Sequence, residues 1–119
     1  MIEVLLALAL GGTKVSRTLL ADTGAGNAQA SFEILLEEND CILCAGKASQ
    51  MVPLGGAFTG LFPLYRVRVE IPRLGFSRTI TAIGVPTPPM SLDGIACFRF
   101  LNRFSYGNFG NAGEFGLET

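Results

Sequence analysis

Within the stretch 64–71, residues 65–71 alternate apolar and charged side chains without interruption: Tyr65, Val67, Val69 and Ile71 take every second position, and Arg66, Arg68 and Glu70 fill the places between. Successive side chains of an extended chain point to opposite faces, so this period of two predicts a strand with one face buried and one wet. Pro72 ends it, because proline cannot donate to a ladder. Arg66 and Arg68 read as the wet face of that strand rather than as a binding patch.

Other segments have the same character. Residues 2–10 form an apolar, strand-like stretch, and Gly11-Gly12 suits a tight hairpin turn into a partner strand over 13–21. In that partner Val15, Leu19 and Ala21 alternate with Lys14, Ser16 and Thr18, with Arg17 as the exception. Residues 50–54 and 64–71 flank the glycine-bearing segment 54–60, and a further strand is expected over 78–85 after a turn at Leu74-Gly75-Phe76. The apolar run after Ser31 fits a capped short helix or a strand equally well, and residues 41–46 read as a connector. Pro86, Pro88 and Pro89 make a stiff connector, and Asp93-Gly94 signals a turn. Phe98, Leu101 and Phe104, at spacings of three, predict a short C-terminal helix with a core-facing stripe, and residues 114–118 can pair as a strand.

With 119 residues, 49% of them hydrophobic and 16% charged, the chain fits a single compact domain, residues 1–119, with a real core. The mean hydropathy of +0.42 is high for a small monomer, and self-association would hide the surplus apolar surface. A net charge of −1 leaves no broad positive field for phosphates or anionic lipid, so nucleic acid and membrane are not expected partners. Residues 4–10 are too short to span a bilayer, and Glu3 stands where a signal peptide carries basic residues. Three cysteines cannot all pair within one chain, which points to a reducing, cytoplasmic setting.

The chain has no histidine, which removes Ser-His-Asp and Cys-His hydrolases and His-ligated zinc enzymes unless a partner supplies the imidazole. Cys41-Ile42-Leu43-Cys44 is a lone C-x-x-C; only Cys97 remains to extend it, so no metal is expected. Nor is segment 54–60 a phosphate-binding loop, since Leu61 and Phe62 follow it where Lys and Ser or Thr are required. An enzyme built from this chain has carboxylates, lysines or tyrosine as its acid and base. Hydrolysing an amide with carboxylates takes one as base on a water and one, protonated, as acid to the substrate. Of three aspartates, only Asp22 lies in a glycine-rich turn directly after an apolar strand, and a second copy of Asp22 across a two-fold axis can supply the missing acid.

The segment Leu19-Leu20-Ala21-Asp22-Thr23-Gly24-Ala25 resembles the Asp-Thr-Gly-Ala signature of retropepsin-like aspartic proteases. Gly11-Gly12, the glycine-rich 54–60, the connector 85–88 and the segment 95–101 follow in the family's order. The resemblance implies an all-β closed barrel with a flap hairpin and one short C-terminal helix, acting as a homodimer on a polypeptide substrate with no cofactor. It implies Asp22 as the catalytic aspartate, Thr23 bonding across the dimer axis, and Gly24 giving substrate backbone close approach. Ala25, Gly26 and the flap residues Gly55, Gly56, Ala57 and Phe58 would contact substrate, with Gly60 completing the flexible flap. The chain departs from the retroviral pattern at Gly26 and Asn27, where an acidic residue is usual, and at Cys97-Phe98-Arg99, where Gly-Arg-Asn or Gly-Arg-Asp is usual. Those departures sustain a second expectation, a non-catalytic module of the same fold that binds peptide or serves assembly.

Overall fold

The computed structural model describes residues 1–9, 12–22, 24, 30–53, 60–86, 92–107 and 116–118, the last strand pair by its backbone alone. Six strands close into a barrel: β1 (Ile2–Ala7), β2 (Lys14–Ala21), β3 (Ile34–Glu37), β5 (Leu61–Ile71), β6 (Phe76–Val85) and β7 (Gly94–Ala96). Around the ring the order is β1, β2, β7, β3, β6, β5 and back to β1, with β4 (Gln50–Pro53) appended to β5. Closure pairs each of the six barrel strands with two neighbours, although β2 meets β7 only over Leu19–Ala21. Two α-helices, α1 (Glu38–Ala45) and α2 (Phe98–Leu101), a 3-10 turn (Pro72–Leu74) between β5 and β6, and a separate pair, β8 (Ser105–Gly107) with β9 (Gly116–Glu118), complete the described elements.

The alternation in β5 is met in full: Tyr65, Val67, Val69 and Ile71 are buried while Arg66 and Arg68 are exposed. They join Ile2, Val4 and Leu6 of β1, Ile34 and Leu36 of β3, and Ile80 and Ala82 of β6 in one core. The residues between them on β3, β6 and β7 turn the other way into a second cluster of Leu35, Ile83, Val85, Ile95 and Cys97. β3, β7 and the last four residues of β6, 82–85, are therefore covered on both faces, which is why β3 reads as an apolar run without alternation.

Several expectations need correction. Of residues 41–46, expected as a connector, 41–45 belong to α1, which opens with Glu38 and Asp40 in its first turn and is capped by Gly46, at φ +76°. Acidic residues suit a helix N-terminus, and glycine takes that stopping conformation without a Cβ clash. Among the described residues there are thus two short α-helices where one was expected, and the ambiguous run after Ser31 resolves as strand β3. In α2 the core-facing residues are Phe100 and Leu101, with Phe104 just beyond it, and Phe98 is only half-buried. The three rings of Phe76, Phe100 and Phe104 meet edge-on, with centroids 5.2 to 5.7 Å apart. Gly94, expected in a turn, is the first residue of β7. No helix among the described residues is long and apolar enough to cross a membrane.

Candidate active site

β2 and β3 follow one another in sequence but are not neighbours, because β7 lies between them, parallel to β2 and antiparallel to β3. Asp22 is the first residue after β2 and is still paired alongside β7. Its N–H donates to the Ala96 carbonyl at 3.0 Å, extending the ladder one step past the strand. Beyond it the Gly24 N–H donates to Asp22 Oδ1 at 2.9 Å, a local turn that holds the half-buried carboxylate in place. A Cβ on Gly24 would come 3.3 Å from that same oxygen, so the position favours a residue without a side chain.

The frame behind Asp22 is braced from three directions. Asp93 holds the entry side: its N–H donates to the Thr18 carbonyl at 3.1 Å and its Oδ2 accepts the Thr18 N–H at 2.8 Å. Cys97 holds the far side, its N–H donating to the Glu33 carbonyl at 3.0 Å, while the Glu33 N–H donates to the Thr81 carbonyl at 3.0 Å. The Glu33 side chain, 4% exposed, accepts from both Nε and Nη2 of Arg103 and so ties the residue before β3 to the segment just after α2. Arg99 Nη1 donates to the Ala30 carbonyl at 2.8 Å and anchors the segment that leads into β3.

Cys97 is buried directly behind the turn. Burial foremost, and then the nearby Asp22 carboxylate, push its thiol up to about 12. A neutral thiol, not a thiolate nucleophile, therefore stands beside Asp22 at neutral pH.

β4 and the start of β5 form an antiparallel hairpin, with Val52 opposite Phe62 and Gln50 opposite Leu64. Val52, Phe62 and Leu64 pack on the cluster that contains Leu20, Phe32 and Cys97, so one face of the hairpin shares its apolar floor with the Asp22 turn. The other face carries Met51 and Leu61, 53% and 63% exposed.

Asp22 and Gly24 are the expected site residues that fall within the described chain; Thr23, Ala25, Gly26, Gly55, Gly56, Ala57 and Phe58 lie outside it. Among the described residues no group of three or more Cys, Asp or Glu is arranged to hold a metal ion. Sequence reading missed Glu33, Arg103 and Asp93 as braces. A lone acid between Phe32 and Ile34 was the available signal for the first, since a carboxylate inside an apolar run requires a cation. Comparison of the chain with protein-family models, with curated proteins and with solved structures finds no match in any of the three.

Proposed function

We propose that this chain is an aspartic endopeptidase of the retropepsin-like type, active as a homodimer in which Asp22 of each copy supplies one carboxylate of the catalytic pair. The observation that carries the reading is the station of Asp22, clamped to β7 at the end of a barrel strand and fixed by the Gly24 amide. The other two aspartates are engaged elsewhere, Asp40 by Arg17 and Asp93 by the Thr18 amide. The second acid accordingly comes from another copy, and a two-fold axis brings identical residues together.

Two carboxylates about 3 Å apart cannot both ionise, so the pair holds one proton and divides the work. The ionised member takes a proton from water as the water oxygen attacks the peptide carbonyl, and the protonated member donates to the carbonyl oxygen. Proton transfer to the amine then releases the two halves of the substrate. In this reading Thr23 couples the two turns across the axis. Ala25, Gly26, Gly55, Gly56, Ala57 and Phe58 lie against an extended substrate, and the 54–60 connection of the β4–β5 hairpin closes over it as a flap. The chemistry calls for no metal or organic cofactor, and three unpaired cysteines fit a cytoplasmic setting.

One observation favours a second reading, a non-catalytic peptide-binding or assembly module of the same fold: the side chain of Cys97 occupies the space behind the turn where the family has glycine. The two readings separate when purified protein and an Asp22→Asn variant are incubated with an unfolded polypeptide from about pH 3 to pH 7, the range in which a shared-proton pair works. Cleavage by the unaltered protein alone supports the peptidase. Cleavage by both removes Asp22 from the chemistry, and cleavage by neither favours the module.

A further inference from the structure

An antiparallel strand pair at the surface needs one apolar face, and the β4–β5 hairpin has two. Val52, Phe62 and Leu64 take the floor shared with the Asp22 turn. The residues between them point the other way, with Met51 opposite Pro63 and Pro53 opposite Leu61. Met51, Pro53 and Leu61 on that outer face are exposed. Met1 aside, the other large apolar side chains left exposed among the described residues are Ile42 and Leu43, both on α1. The surplus apolar surface is thus concentrated on two elements joined by residues 46–49 alone.

The outer face of the hairpin and α1 lie on the same side of β5. Tyr65 follows Leu61 and Pro63 at the same period of two and is buried beside the start of α1: a Cβ on Gly84 would meet the Tyr65 ring at 3.0 Å and the Glu38 backbone at 3.5 Å. Near its other end α1 accepts the Ala9 N–H at the Leu43 carbonyl, at 3.0 Å, while Cys41 turns into the core. The hairpin is held at its root, where the Ser49 N–H and Oγ both donate to the Leu64 carbonyl, at 2.7 and 3.0 Å. Beyond that root, among the described residues, β4 pairs with β5 alone, and Pro53 and Pro63 bring no donor to the ladder.

The size of these faces decides what covers them. Two large side chains on each element are a small part of the roughly 800 Å2 per partner that a stable association buries, so neither face holds a separate chain unaided. A face on the same chain, tethered through residues 46–49, acts at a far higher effective concentration. We propose that the hairpin has a second position, tilted about its Ser49–Leu64 root away from the Asp22 side, in which Met51 and Leu61 seat against Ile42 and Leu43 of α1. The tilt exchanges Val52 and Phe62 on one apolar floor for Met51 and Leu61 on another, so the two positions compete and the floor beside Asp22 is alternately covered and open. This exchange requires no chemistry at Asp22 and stands apart from the peptidase reading.

The test is disulfide trapping between Leu43→Cys and Leu61→Cys in a Cys44→Ser background, which leaves the buried Cys41 and Cys97 as the other thiols. A disulfide closes only when the two Cα atoms come within about 7 Å, so trapping reports the tilted position. In dilute protein, with glutathione disulfide as oxidant and two glutathione thiols as its product, the bond within one chain is expected to form at least about tenfold faster than one from Leu43→Cys to Thr79→Cys. Thr79 is also exposed but lies on the outer face of β6. Trapping should shift the amide resonances of Val52 and Phe62 and leave those of β1 and β2 in place. A second measurement introduces no cysteine: methyl-labelled protein should show magnetisation transfer from Met51 and Leu61 to Leu43, lost in Ile42→Ser/Leu43→Ser, whose exposed positions leave the fold intact. Equal rates for the two cysteine pairs, or no methyl contact in the unaltered protein, would overturn the second position. Bonds found mainly between chains, read by mass, would also overturn it and give the two faces to a second copy.

Discussion

A Cβ placed on Gly94 would lie 2.0 Å from the carbonyl oxygen of Leu35, far inside any real contact. The obstacle is backbone of β3, which cannot swing aside as a side chain can, and Leu19 and the rest of Leu35 close the space further. Gly94 is therefore what lets β7 lie between β2 and β3, and β7 is what anchors Asp22. Gly94→Ala is expected to cost about 3 kcal/mol or more, at the upper end of overpacking substitutions, because strand pairing itself must shift. Chemical denaturation of the variant checks this; a loss below about 1 kcal/mol would mean that β7 moves freely relative to β3.

The Glu33–Arg103 pair, with a Glu33 side chain 4% exposed and an Arg103 side chain 34% exposed, should still be worth more together than either half alone. Arg103→Met strands the buried carboxylate and is expected to cost about 1 to 3 kcal/mol, because the guanidinium end already meets water. Removing the charge at both ends with Glu33→Gln and Arg103→Met should recover a large part of that loss. A double-mutant cycle by denaturant unfolding reads the coupling directly, and a cycle that closes to zero would refute the pairing.

How much of this was legible beforehand depends on whether a residue's environment is set by its neighbours in sequence. Strand β5 was legible because one face meets the core and one meets water, so its register is written in alternate residues. β3 was not, because Ile34 and Leu36 face one core while Leu35 faces the other. A run apolar on both faces has no period to read. Helix α1 escaped notice although Glu38, Asp40 and Gly46 mark its ends. Its pairing explains the one irregular residue of β2, since Arg17 binds both carboxylate oxygens of Asp40, at 2.8 and 3.0 Å. The turn at Asp22 was legible as a motif, but its braces were not: Asp93 is 75 residues from Thr18 and Arg103 is 70 from Glu33. Only the closed topology brings such pairs together.

The three thiols should set a ceiling on alkaline stability. Burial foremost raises Cys41 and Cys97 to about 12 and Cys44 to about 11, from an ordinary value of 9.0. A thiol whose folded pKa is raised stays protonated in the native state while the unfolded chain loses its proton. The contribution to stability is full below about pH 9 and is lost progressively as pH rises toward about 12. Cys97→Ala and Cys41→Ala should each flatten the decline of unfolding free energy above pH 9, whatever they do to stability at pH 7. Alkylation at pH 8 should reach the half-buried Cys44 first and the buried Cys41 and Cys97 at rates that follow unfolding. Rapid labelling of Cys97 in the folded protein would contradict its burial behind Asp22.

If each catalytic pair takes one aspartate from each of two copies, the Asp22→Asn variant does more than lack activity. It poisons its partner. In a mixture left to exchange subunits at concentrations that saturate the dimer, every hybrid has a single ionisable member and cannot divide base from acid. A ninefold excess of variant should then reduce cleavage by the unaltered copies to about one tenth, since an unaltered subunit meets another in about one encounter of ten. The variant alone should fall by about a thousandfold, within the range that acid and base catalysis supplies. Activity that simply follows the amount of unaltered protein, whatever the excess of variant, would show that each chain works alone and would end the shared-pair reading. The Asp22→Asn turn keeps an acceptor for the Gly24 amide, so the fold is retained and dimerisation of the variant can be verified by solution mass.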